Sequence, residues 1–191
     1  MSLQLTFAPL SKSNWNSFVE LFGKNGACGG CWCMFWLLPR KEYVENKGDG
    51  NRDAMFDLVN SGVKPGILAF DNGKPVGWCA VAPRDKYLRL ANSRVLAPVD
   101  EKIVWSVVCF FVAKPYRNSG VGRQLLKAAK EFVRESGGTI LEGYPSASEG
   151  KKSPDAFVYT GMESMFIGAG FSEVARRSPK RPVLRCVIKN N

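Results

Sequence analysis

The residues of this chain best suited to chemistry stand in the stretch VAKPYRNSGVGRQLLKAAK, residues 112–130, which packs Pro, Asn, Ser and two glycines into eight positions. A strand that ends in such a loop and starts a helix turns several unpaired backbone N–H groups toward one spot, and the helix dipole adds partial positive charge there. That arrangement binds anions. Gly120 and Gly122 permit close approach of a phosphate, while Arg117 and Arg123 add cationic side chains. The spacing Arg-x-x-Gly-x-Gly is short, and its weight comes from its setting between an apolar run and an amphipathic helix. Glycines serving only a tight strand-to-helix turn are the plainer reading.

A second cluster is CGGCWCMFW, with Cys28, Cys31 and Cys33. A Cys-x-x-Cys pair followed by a third Cys looks like part of a thiolate metal site, yet no fourth ligand follows at a matching spacing. The preferred reading is thiols that are buried or line a pocket, with no metal expected; a metal site and a redox pair are the alternatives. Cys79 and Cys109 lie in apolar runs, where a free Cys behaves as a small hydrophobe. The chain has no histidine, which removes histidine triads and histidine metal sites together.

The elements around these residues follow from composition and periodicity. A length of 191 residues with 45% apolar side chains suits one domain spanning 1–191 with a sizeable core. The longest apolar run, IVWSVVCFFVA at 103–113, is too short to cross a bilayer and reads as a buried strand. The N-terminus lacks the pattern of an export signal, so the cytoplasm is the expected location. A net charge of +10 favours anionic partners. The dense basic block RRSPKRPVLRCVIK carries no interleaved aromatics and is read as a solvated hairpin face, not a nucleic-acid surface.

LQLTFAPL alternates as a first strand, and SNWNSFVELFG follows as a helix with Ser13 as its N-cap. A helix at 51–62 precedes a hairpin turned by Asn72-Gly73. Residues 84–101 read as irregular. After the buried run come the bare loop, a helix with Val121, Leu125, Leu126, Ala129, Phe132 and Val133 on one face, and the strand TILEGY. PSASEGKKSP is a loop, and Thr160-Gly161-Met162-Glu163 has the form of a capping box opening a helix that runs to about Ala169. Two strands close the chain. The strand-helix-strand unit implies neighbouring parallel strands and the hairpins antiparallel edges: an α/β mixed sheet of about seven strands flanked by about four helices.

The stretch FFVAKPYRNSGVGRQLLKAA, with the later FIGAGFSEV, resembles the acetyl-CoA signature of the GNAT family of N-acetyltransferases, and the element order is similar to that family's over nearly the whole chain. Residues 32–51 are the least assigned. The resemblance implies a GNAT-like fold in which Phe110, Phe111, Val112, Arg117, Asn118, Ser119, Gly120, Val121, Gly122 and Arg123 bind acetyl-CoA. It implies that the loop amides hold the pyrophosphate, that strands four and five splay to admit the pantetheine arm, and that the Val112 N–H polarises the thioester carbonyl.

One position departs from the pattern. Where the family often carries a proton-donating Tyr, four residues before Gly170, this chain has Phe166, which cannot donate. Tyr159 or solvent is then the candidate acid, and Glu142 the nearest candidate base. Trp32, Phe35 and Trp36 are expected to line an acceptor pocket. The resulting expectation is transfer of an acetyl group to a primary amine, of a small molecule or a protein. The rival is a non-catalytic coenzyme A-binding sensor or scaffold of the same fold. No membrane contact is expected, and a homodimer is left open.

Overall fold

The computed structural model describes residues 3–147 and 159–188, and most of the loop expected at 145–154 lies outside them. Seven strands form one mixed sheet: β1 Leu5–Pro9, β2 Gly66–Asp71, β3 Lys74–Pro83, β4 Trp105–Val112, β5 Ile140–Gly143, β6 Ser172–Arg176 and β7 Pro182–Val187. Their spatial order is β1-β2-β3-β4-β5-β7-β6. Only β4 and β5 pair in parallel, as the strand-helix-strand reading requires. The β2–β3 turn uses left-handed Asn72 (φ 49°) and Gly73 (φ 79°), the dihedrals a tight hairpin demands.

The helices are α1 Trp15–Phe22, α2 Arg40–Glu45, α3 Asp49–Asn60, α4 Leu88–Ala91, α5 Val121–Glu135 and α6 Glu163–Ile167. They divide the core into two layers. On one face α1, α3 and the turns after α1 pack Phe18, Phe22, Trp32 and Met55 against Trp78, Tyr87 and Val108. On the other, α5 and α6 pack against β2–β5 and β7. All six apolar positions expected on the inner face of α5 are buried, because their spacing follows one turn of helix.

Three local expectations are corrected. Ser13 does not cap α1; a 3-10 turn at Lys12–Asn14 comes first, where Ser11 N–H donates to Asn14 Oδ1 at 2.8 Å. The capping box at Thr160 does not form. The residue before α6 is Met162, while buried Thr160 accepts a bond from Arg181 Nη1 at 2.6 Å and Glu163 pairs with Arg176. A tertiary hydrogen bond at Thr160 and a tertiary ion pair at Glu163 outcompete the local cap. Residues 84–101 contain a 3-10 turn at Arg84–Lys86 and the short α4. Among the described residues no helix is long and apolar enough to cross a membrane.

Candidate active site

The site begins where β4 leaves β5. Their pairing runs only from Trp105–Leu141 to Val107–Gly143. Past Val107, β4 continues against β3 alone, and the gap admits the backbone after residue 158. Phe110 N–H donates to the Tyr159 carbonyl at 2.6 Å, and Ser146 N–H donates to the Gly161 carbonyl at 2.8 Å. Ala113 N–H donates toward β3, to Val76. Alternation therefore turns the Val112 N–H toward the opened edge.

A bulge shapes the same strand. Ala80 faces Cys109 and Val81 faces Val107, which leaves Val108 as an extra residue. It breaks the alternation, so that Val108 and Cys109 both meet the α1 face of the sheet.

Beyond β4 the chain makes a 3-10 turn at Lys114–Tyr116 and then two left-handed residues, Asn118 (φ 61°) and Gly120 (φ 87°), before α5. Gln124 N–H is the first to find a helical acceptor, Gly120 O at 3.1 Å. The amides of Val121, Gly122 and Arg123 precede it and point out of the helix end. Nothing stands within 4 Å of a Cβ placed on Gly120, so the loop is open above that glycine. Arg117 Nε donates back to the Val112 carbonyl at 3.1 Å, tying loop to strand.

From this helix end a cleft of about 1030 Å³ follows β4 to an aromatic end. Phe110, Phe111, Val112 and all of Arg117, Asn118, Ser119, Gly120, Val121, Gly122 and Arg123 line it. So do Phe35, Trp36 and Tyr159. Two expected residues stand elsewhere. Trp32 is buried and stacked on Phe22 at 5.7 Å, as part of the core. Glu142, on β5, is buried and is not among the residues that line the cleft. Its carboxylate accepts from Arg84 Nη1 at 3.0 Å, Arg185 Nε at 2.6 Å and Tyr144 Oη at 2.5 Å. It fastens the 84–100 segment, whose Leu96 carbonyl also binds Arg84 and whose Asp100 binds Arg185. Phe166 is not a lining residue either: it is buried behind the cleft wall, edge-on to Phe110 and Phe171.

The cleft also recruits residues that periodicity did not single out, Tyr43, Cys109, Tyr116 and Ser164, together with Met162 and Met165. Tyr43 falls in the stretch without clear periodicity, and Cys109 depends on a bulge that no pattern announces. At the aromatic end Arg89 stacks on Phe35, 3.9 Å from its centroid, and its Nε donates to Leu38 O at 3.3 Å. Burial lowers the pKa of Arg89, while burial raises the phenols of Tyr43 and Tyr159. Cys28, Cys31, Cys33 and Cys109 all line the cleft. Among the described residues no group of three or more Cys, Asp or Glu is arranged to hold a metal.

A crossover helix whose N-terminus faces a strand edge parted from its parallel neighbour defines a protein built to hold an extended, phosphate-bearing ligand along that edge. The family model for the acetyltransferase (GNAT) family matches residues 32–146, over half of the chain, and the chain belongs to that family. Compared by sequence with curated proteins, it has no match. Among solved structures it is similar to a GNAT-family acetyltransferase from Streptococcus agalactiae, with TM-score 0.56, 11% identity and 99% and 98% of the two chains covered. It is also similar to the PaiA N-acetyltransferase of Thermoplasma acidophilum in complex with coenzyme A, with TM-score 0.54, 10% identity and 97% and 99% covered. A third is the yncA protein of Salmonella typhimurium with its cofactor acetyl-CoA, with TM-score 0.53, 13% identity and 98% and 95% covered.

Proposed function

We propose that this protein transfers the acetyl group of acetyl-CoA to a primary amine. The observation that carries the reading is the loop before α5, where left-handed Asn118 and Gly120 leave the first amides of a 15-residue helix exposed beside Arg117 and Arg123. Those groups suit the pyrophosphate of coenzyme A. The opened edge of β4 suits its pantetheine arm, and the solved structures that contain coenzyme A or acetyl-CoA on the same fold support this assignment.

With the arm along β4, the thioester carbonyl accepts a bond from Val112 N–H, which stabilises the oxyanion formed as the amine attacks. The amine enters from the end walled by Phe35, Trp36 and Tyr43, where aromatic faces bind an apolar or planar body. Tyr159 is the proton donor for the departing sulfur. Its phenol lines the cleft, and burial keeps it protonated well past neutral pH.

A thiol-release assay over a panel of amines, run beside calorimetric titration with coenzyme A, tests the reading. Binding together with amine-dependent release supports it. Binding without release for any amine would make the protein a coenzyme A sensor. Tyr159→Phe keeps the ring and so keeps affinity, while turnover falls by about 10²–10⁴; wild-type turnover in that variant assigns the proton to solvent.

A further inference from the structure

The aromatic end of the cleft is poor in acceptors and rich in donors. Among the described residues that line the cleft there is no Asp and no Glu, so its wall offers no anion to a second cationic group on a substrate. Two donors stand at this end unmatched. Trp36 lines the cleft, is 9% exposed, and its buried indole N–H has no hydrogen-bond partner among the described residues. Nη2 of Arg89 is likewise buried without a partner among them. Buried donors are ordinarily satisfied, so two at one place point to an acceptor group supplied from outside the chain.

Both donors are arranged around one ring. The Arg89 guanidinium lies 3.9 Å from the Phe35 centroid and 5.2 Å from that of Tyr43, and Trp36 meets Phe35 edge to face at 5.2 Å between centroids. Arg89 is not itself a lining residue; it stands against two that are, Phe35 and Tyr43. The backbone holds the pair in place, since Arg89 N–H donates to Trp36 O at 3.3 Å and Arg89 Nε to Leu38 O at 3.3 Å. Burial, and with it the like charge of Arg40, works against the Arg89 cation. A cation so placed, with no carboxylate bonded to it among the described residues, favours an anion nearby.

We propose that the acceptor is a small amine with an aromatic or apolar body that also carries a carboxylate. The carboxylate accepts from the Trp36 indole N–H and takes Arg89 as its counter-charge, the body lies against Phe35 and Tyr43, and the amine points along β4 toward Val112. The inference deepens the acetyltransferase reading above and rests on it. In the transfer the neutral amine nitrogen bonds to the acetyl carbon, the carbon–sulfur bond breaks, and one amine proton is lost while the departing sulfur gains one, so that an N-acetylated carboxylate and the coenzyme A thiol leave together. Arginines at the acceptor end also exclude amines with a second positive charge.

The test is thiol release from acetyl-CoA with two matched pairs, 4-(aminomethyl)benzoate against benzylamine and phenylalanine against phenethylamine, with butane-1,4-diamine as the dication. Rates are corrected for the fraction of neutral amine. A site that pairs a polar group rejects the analogue lacking it, so kcat/KM should favour the carboxylate in at least one pair by about tenfold or more, with the diamine slowest. In Arg89→Gln and in Trp36→Phe that ratio should collapse toward one, a change that general damage to the fold, acting on both members of a pair, does not produce. Should Arg89→Gln fail to fold, the wild-type ratio and Trp36→Phe decide. Equal rates within both pairs, or a diamine that outruns them, overturn the proposal and leave the acetyltransferase reading standing. A preference that survives in both variants overturns it too, because the carboxylate is then held elsewhere. Coenzyme A binding with no release for any of these amines or for a wider panel removes both readings.

Discussion

Gly120 stands at φ 87° with open space where a Cβ would project, so a valine there is opposed by its backbone dihedral and not by crowding inside the protein. Its methyl groups would instead occupy the space above the α5 amides. Gly120→Val is expected to lower coenzyme A affinity at least tenfold, about 1.4 kcal/mol, with the circular dichroism of the wild type. Unchanged affinity by calorimetry removes the phosphate assignment. Glu142 makes the opposite kind of prediction. Its carboxylate is 1% exposed and shared by two guanidiniums, so Glu142→Gln leaves the part-buried Arg84 without its carboxylate and Arg185 with Asp100 alone. Denaturant unfolding should report a loss of about 3–5 kcal/mol, with amine transfer per folded molecule retained. Full stability with lost turnover would make Glu142 the base after all.

At the scale of elements, the cleft depends on how α6 is seated against β5. A Cβ on Gly143 would stand 2.1 Å from Cε1 of Phe166, so the close approach of ring and strand requires a glycine there. Phe166 has no room to retreat, with Phe110 and Phe171 at its edges. Gly143→Ala therefore displaces α6, and with it Met162 and Met165 on the cleft wall, at a cost of about 1–3 kcal/mol. Phe166→Leu in the same chain should restore part of the melting temperature; no restoration would mean that the clash is relieved elsewhere. The same packing accounts for what the sequence revealed and what it hid. The α5 face, the Asn72-Gly73 turn and the Arg117 to Gly122 loop are local patterns, carried by helical period or by turn chemistry. Trp32 in the core, Glu142 in its ion-pair network, the Val108 bulge and Thr160 bonded to Arg181 are decided by partners distant in the chain, which no window of adjacent residues contains.

For the molecule as a whole, the titratable groups held between the sheet and its helices set the response to alkaline pH. Burial pushes Cys79 and Tyr87 well above their ordinary values. Tyr144 is raised by burial and by Glu142 beside it, and Cys109 by its bond to Cys33 and then by burial. A folded pKa above the unfolded one means that the unfolded chain releases its proton first as pH rises. Stability is thus fully present below the ordinary thiol value of 9.0 and is lost as pH climbs past it and past the tyrosine value of 10.0. Net charge pulls the other way, since +10 at neutral pH shrinks as lysines deprotonate and self-repulsion weakens. Three fully buried groups and the half-buried Cys109 thiol acting together outweigh a diffuse, solvent-screened repulsion. The urea midpoint should therefore fall between about pH 8 and about pH 10.5 at constant ionic strength. A midpoint that holds or rises over that interval would mean that the buried phenols and thiols ionise without opening the core, and that surface repulsion governs the stability of this chain.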